Sequence, residues 1–236
     1  YVNVNRDVID PETRLWSQGP NSDGPSDKTV HVIKFESMTG ELIAVYINYA
    51  MHANLMYMSG KISACMPGGV TGYVEDYYKN INNNNIVAIW TMGAAGDQNP
   101  IYFNSILGAS RSGTEYAKKR QIQMISSIGQ IVGEEVISVL EETKNLKDKI
   151  TIHGSQKIVT CPGRTRTDVN NREGKPGTYV DGDPVNIKLS LLVLGDIAIA
   201  AVNAEIYNII GQHLKEKSPL TKTIFVSITN GASNSG

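Results

Sequence analysis

The chain has only two cysteines, Cys65 and Cys161, far apart and outside any C-x-x-C or Cys/His spacing, so neither a zinc finger nor a disulfide scaffold is indicated. It lacks an excess of either charge, because Lys+Arg 22 against Asp+Glu 23 leaves −1. Without a dense basic stripe it has no electrostatic footprint for nucleic acid, and DNA and RNA are not expected partners. No apolar run reaches the roughly 18 residues of a membrane span; the longest, LLVLGDIAIAAV, is broken by Gly195 and Asp196. None of Ser63, Ser105 and Ser112 stands in a G-x-S-x-G context, which leaves a serine-hydrolase elbow unsupported. No repeat of fixed period is visible, setting aside solenoids and propellers. An initiating methionine and a charged-then-apolar leader are also missing between Tyr1 and the final NGASNSG, and the sequence reads as a piece of something longer.

What is present is 41% hydrophobic and 19% charged over 236 residues, ample to bury a core. The expectation is a single catalytic-type domain over residues 1–236, lacking flanking N- and C-terminal parts. Residues 1–28 are rich in Asn, Asp, Gly and Pro and read as an irregular lead-in. TVHVIKFES and ELIAVYINYA, separated by Met38, Thr39 and Gly40, read as a hairpin. KISACMPGG reads as a loop, and Val70, Tyr73, Val74, Tyr77 and Tyr78 recur at helical spacing up to the polar tract KNINNNN, a surface turn before the strand NIVAIWTM. The three tyrosines are packing residues on this reading.

The longest helix spans Gly113 to Leu140, with Ile122, Ile125, Ile128, Val132 and Val136 on one face and Ser112 and Glu115 in capping-box spacing. KITIHGSQKIVT, VNIKLSLLVL and IAIAAV read as strands, the last two joined at Gly195-Asp196; a helix is expected from about Ala204, and KTIFVSIT is a final strand. The fold class is therefore mixed α/β, mixed β-sheets with strand hairpins flanked by helices.

Three polar features follow strands. His52 comes after NYA, GAAGDQNP after NIVAIWTM, and Glu205 after IAIAAVN; ligands in open α/β sheets bind outside strand ends. An imidazole and a carboxylate suit Zn²⁺, but a catalytic zinc takes about three protein ligands. The alternative is that His52 bonds a backbone group and Glu205 favours a helix N-terminus. Gly93 and Gly96 permit close backbone approach, and Asp97 can accept a proton or orient a water; a plain turn is the competing reading. Arg164 and Arg166 of CPGRTR, placed in a loop, would clamp an anion or simply be solvated.

In order along the chain, NVNRD, INYAMHANLM, ISACMPGGVTGYVEDYY, GAAGDQNP and LGDIAIAAVNAEIYNIIGQHL resemble motifs of the catalytic domain of the neutral/alkaline non-lysosomal ceramidase family. The resemblance implies zinc-dependent hydrolysis of an N-acyl amide bond, with zinc held by two histidines, a glutamate and a tyrosine. His52 would then be one histidine ligand and Glu205 the glutamate. Arg6 would lie near the reacting centre, and Asp97 and Asn99 would stand at catalytic positions, with Gly96 and Gln98 contacting substrate. Zinc would polarise the carbonyl or generate nucleophile from water, and Arg6 would steady the oxyanion. Departures are visible. GDQNP puts Asn99 where the family has a serine, Cys65 replaces a loop aspartate, and Asn203-Ala204-Glu205 replaces P-G-E. The second histidine and the tyrosine are expected beyond the two ends of this sequence, in the missing flanking segments.

An amide side chain is no nucleophile, so a zinc-bound hydroxide oriented by Asp97 is the expected attacker. The expected partner is a small-molecule or lipid substrate. Family resemblance places the protein outside the cytoplasm, secreted or periplasmic. Two other readings stay open: a non-catalytic lipid- or glycan-binding module retaining the fold, and a hydrolase for a different amide or ester.

Overall fold

The computed structural model describes residues 1–57, 59–103, 114–168, 177–231 and 233. Mixed sheets and helices make it an α/β protein, as the pattern of runs implies. The described residues form three sheets, with strand orders β2-β1-β6, β10-β9-β8-β7 and β3-β4-β5. They divide into two compact units, one of residues Tyr1–Asn3, Lys28–Met92 and Asn99–Ile150, the other of Val4–Asp27, Gly93–Gln98 and Thr151–Gly236.

In the first unit, β3 (His31–Glu36) and β4 (Leu42–Tyr49) form the expected antiparallel hairpin, turning at Gly40 with φ +86°. Such a φ is cheap only for glycine. β5 (Val87–Met92) pairs with β4 in parallel, and the crossover between them carries α1 (Cys65–Asn82). The helix starts within KISACMPGG, expected to be a loop. Pro67 sits in the first turn, where its missing N–H has no helical partner to lose. Asn83 ends it in the left-handed conformation, φ +50°, so the helix continues into the asparagine tract as far as Asn82 and the chain leaves it only in the second half of the tract, expected to be a turn throughout. Val45, Ile47, Met66, Val70 and Val74 of these elements are fully buried.

α2 (Glu115–Glu142) packs against α1. Thr114 caps it, its side chain accepting from the Ala117 N–H at 3.2 Å; Ser112, Gly113 and Ser105 lie outside the described residues. The buried stripe includes Ala117, Gln121, Ile128, Val132, Val136 and Leu140, whereas Ile122, expected inside, is 55% exposed. Gln121 is tolerated there because its Nε2 donates to the Tyr57 carbonyl at 3.1 Å. Where the helices cross, a Cβ on Gly129 would lie 2.6 Å from the Gly69 carbonyl oxygen, so bare backbones set the spacing. Tyr73, Tyr77 and Tyr78 pack against this core, and Tyr73 and Tyr77 bond Glu134 and Glu141 of α2. They are packing residues, as expected.

In the second unit, the expected irregular lead-in is instead ordered. β1 (Asn3–Ile9) pairs antiparallel with β2 (Trp16–Asn21), the polar residues being satisfied by hydrogen bonds such as Asn21 Nδ2 to the Asp7 carbonyl at 2.7 Å. β6 is the short strand Gln98–Pro100, of which Gln98 belongs to this unit. β7 (Ile152–Arg166) and β8 (Tyr179–Leu194) form a long antiparallel ribbon, and β8 turns through Gly195, φ +62°, into β9 (Ile197–Val202). β10 (Lys222–Val226) runs parallel to β9, with α3 (Asn208–Lys217) in the connection.

Two expectations change here. Arg164 and Arg166 belong to β7 rather than to a loop; Pro162 is accommodated because β7 is a sheet edge and its register shifts between Cys161 and Gly163. The last helix starts at Asn208, with Tyr207 extended, rather than near Ala204. Among the described residues no helix is long and apolar enough to cross a membrane.

Candidate functional site

The polar features found in sequence follow strands that run in parallel pairs, β4 with β5 and β9 with β10. In the second unit, the loop after β5 is held against the residues that follow β9 and β10. Ser227 Oγ donates to the Gly93 carbonyl at 2.6 Å, the Gly96 N–H to the Ile206 carbonyl at 2.9 Å, and Asn208 Nδ2 to the Ala94 carbonyl at 3.0 Å. Gly96 is needed for packing: a Cβ there would lie 2.9 Å from the Tyr207 ring and 3.0 Å from the Ile206 oxygen.

Asp97, 3% exposed, occupies the middle of this arrangement. One carboxylate oxygen accepts from Asn5 Nδ2 at 2.8 Å, the other from the Asn208 N–H at the start of α3, also at 2.8 Å. Its backbone carbonyl accepts from the Arg6 N–H at 2.8 Å. A carboxylate at a helix N-terminus satisfies a donor that lacks a helical partner and meets the positive end of the dipole. Gln98 is wholly buried, its Nε2 donating to the Pro25 carbonyl at 2.9 Å and its Oε1 accepting from Ser26 Oγ at 2.5 Å. Gln98 thus fastens residues 25 and 26 to the loop.

Around this buried carboxylate lie two titratable residues that the sequence reading did not single out, Asp7 and Tyr207. Burial pushes the Asp7 carboxyl above its ordinary value, opposed by the Arg6 guanidinium and reinforced by the negative charge of Asp97. The Tyr207 hydroxyl is likewise pushed up, first by burial and then by Asp7, against Arg6, with Asp97 and Glu205 adding to the rise. Arg6, Asp7, Asp97, Glu205 and Tyr207 therefore share one electrostatic neighbourhood in the second unit. Asp7 and Tyr207 stand inside the runs NVNRD and LGDIAIAAVNAEIYNIIGQHL, but nothing in their spacing separates them from surface polar residues.

In the first unit, His52 follows β4 and is half-buried. Asn99 is 2% exposed, and Asn54 Nδ2 donates to its Oδ1 at 2.9 Å. The complementary atoms, Asn54 Oδ1 and Asn99 Nδ2, are buried without a partner. Native structures leave few such atoms.

His52 and Glu205 are the two zinc-type side chains expected from the sequence, one in each unit. Among the described residues, no group of three or more His, Cys, Asp and Glu side chains is placed to hold a metal ion. Since a catalytic zinc takes about three protein ligands, the described residues do not by themselves fit the metal.

No family model matches the sequence, and no curated protein matches it. Solved structures do resemble the fold. A ceramidase complexed with C2 superposes with a TM-score of 0.66 at 12% identity, over 98% of this chain and 45% of that one. The neutral ceramidase from Pseudomonas aeruginosa superposes with a TM-score of 0.59 at 12% identity, over 96% of this chain and 43% of the other. The chain thus spans less than half the length of either protein, and over nearly all of its own length it carries a ceramidase-like fold.

Proposed function

We propose that this chain is part of a hydrolase of the neutral-ceramidase kind, cleaving the N-acyl amide bond of a lipid or related substrate with zinc as cofactor and acting outside the cytoplasm. The observation that carries the reading is the superposition of 98% of the chain on a ceramidase at a TM-score of 0.66. The ordered motifs around His52, Asp97 and Glu205 support it further. His52 and Glu205 are the ligand candidates in this sequence, and the remaining ligands belong to polypeptide outside it. Asp97 positions the start of α3 and the strand bearing Arg6.

A second reading, a non-catalytic lipid- or glycan-binding module, draws on a specific observation. By the resemblance Asn99 stands where the family has a serine, an amide in place of a hydroxyl, and both Asp97 carboxylate oxygens are already engaged. Elemental analysis of the full-length protein, paired with hydrolysis of a short-chain N-acyl amide, separates the two. The hydrolase reading expects about one zinc per chain and chelator-sensitive turnover, with both lost in His52→Ala. Full-length protein free of zinc and of turnover selects the binding module, and zinc retained by His52→Ala rejects that ligand assignment. Cell fractionation checks the compartment.

A further inference from the structure

A trough of about 590 Å³ runs between α3 and one face of the four-stranded sheet in the second unit. The size falls within the range of about 300–1,000 Å³ typical of small-molecule sites. Its floor comes from residues that share a sheet face by register: Leu189 and Leu191 of β8, Ala200 of β9 and Phe225 of β10. Leu214 of α3 forms the apolar wall. Leu189, Leu191 and Leu214 remain 42%, 41% and 36% exposed, leaving a continuous apolar surface for a ligand to cover.

The polar rim is one-sided in charge. Lys157 and Lys217 line the trough, with no aspartate or glutamate among its lining residues. Among the described residues neither lysine is in an ion pair. They stand at opposite ends. Lys157 pairs with Leu189, which pairs with Val202 at the end of β9, whereas Lys217 closes α3 beside Ser218 and Thr223, near the start of β10. Lys217 lies in the last helical turn, where a cation already offsets the negative end of the dipole. Lys157 has no such engagement and is the better anion contact.

We propose that this trough binds one single-chain anionic amphiphile of the fatty-acid class, its hydrocarbon over Leu189, Leu191 and Ala200 and its carboxylate at Lys157. The site is independent of the hydrolase reading, since it requires neither metal nor turnover.

The test is calorimetric titration of the full-length protein with dodecanoate below its micelle concentration. The expected result is one saturable site, with affinity rising about fourfold per methylene across decanoate, undecanoate and dodecanoate. Lys157→Glu should weaken dodecanoate binding about threefold to tenfold, and Lys217→Glu less. Ala200→Phe should fill the trough; Leu191→Gln, on the exposed floor, makes it polar without crowding the interior, and both should lower affinity. Absence of saturable dodecanoate binding overturns the proposal. So does equal binding of dodecyltrimethylammonium, or binding undiminished in both floor variants. Loss of amide hydrolysis with dodecanoate binding intact would count only against the proposed enzymatic function.

Discussion

Asp97 is the residue whose role changes most between sequence and structure. In sequence it is an acid between glycine and glutamine; in the structure it joins Asn5 of β1 to the first backbone N–H of α3. Those partners lie 92 and 111 residues away, beyond any local pattern, which is why neither Asn5 nor Asn208 could be read as part of the site. Asp97→Asn retains one acceptor but presents an N–H₂ to a donor, leaving a buried donor unmet. Such a change costs about 1–3 kcal/mol, and urea denaturation should show the midpoint fall by that equivalent. An unchanged midpoint would mean that the carboxylate is not tying these elements together.

Arg166 and Asp168 permit a pH prediction at the same scale. Two hydrogen bonds, at 2.8 and 2.9 Å, join them. Chiefly through the Arg166 bond, the Asp168 carboxyl is held down at about 2, against 3.8 ordinarily. Because the folded value lies below the unfolded one, the pair's contribution is complete above roughly 3.8 and disappears as pH falls through about 2. Carboxyl NMR should find Asp168 titrating near 2, and Arg166→Gln should return it towards 3.8. An ordinary titration in the wild type would remove the ion pair from the solution structure.

Among the elements, α2 shows what periodicity reveals and what it leaves hidden. Its apolar repeat located the helix, but Gln121 rather than Ile122 faces inward, because a carboxamide that finds a carbonyl can be buried. The hairpins β3–β4 and β8–β9 were legible from β-branched runs and glycine turns. β1 was not, since it buries Asn3 and Asn5, and neither was β2, a largely exposed strand that contains Gly19 and Pro20. α1 was started late because Pro67, Gly68 and Gly69 look like a loop until the first turn of a helix is recognised as a place that tolerates proline.

The α1–α2 crossing gives a prediction with an internal control. Gly129→Ala gains up to about 1 kcal/mol in helix propensity, yet its new Cβ would lie 2.6 Å from the Gly69 oxygen and 2.7 Å from its carbonyl carbon. Backbone cannot swing aside as a side chain does, and overpacking typically costs about 1–3 kcal/mol. Gly72, also in α1, has nothing within 4 Å of such a Cβ, so Gly72→Ala should stabilise by up to about 1 kcal/mol. Chemical denaturation of the two variants should therefore give opposite signs. The same sign for both would place the helix contact elsewhere.

For the whole molecule, the ceramidase-like fold persists at 12% identity. This fits what was legible: the order of strands and helices can be read from the spacing of apolar runs and turn residues, whereas the partners of individual side chains such as Asn99 cannot. A metal ligand set is harder to read because its members come from separate strand ends, and this sequence presents only His52 and Glu205 as expected ligands. The proposed zinc has a consequence independent of catalysis. A ligand that binds only the folded protein stabilises it by about 2.7 kcal/mol at a free concentration 100 times its dissociation constant. One kcal/mol moves the melting temperature by roughly 2–4 °C for about 150–250 residues and by less in a longer protein, so full-length protein stripped by chelator should melt a few degrees lower than the same protein with zinc restored. In His52→Ala that difference should collapse, because losing one ligand from a small set removes most of the affinity. A wild type that melts identically with and without zinc would exclude a bound structural or catalytic zinc and leave the fold serving a binding role.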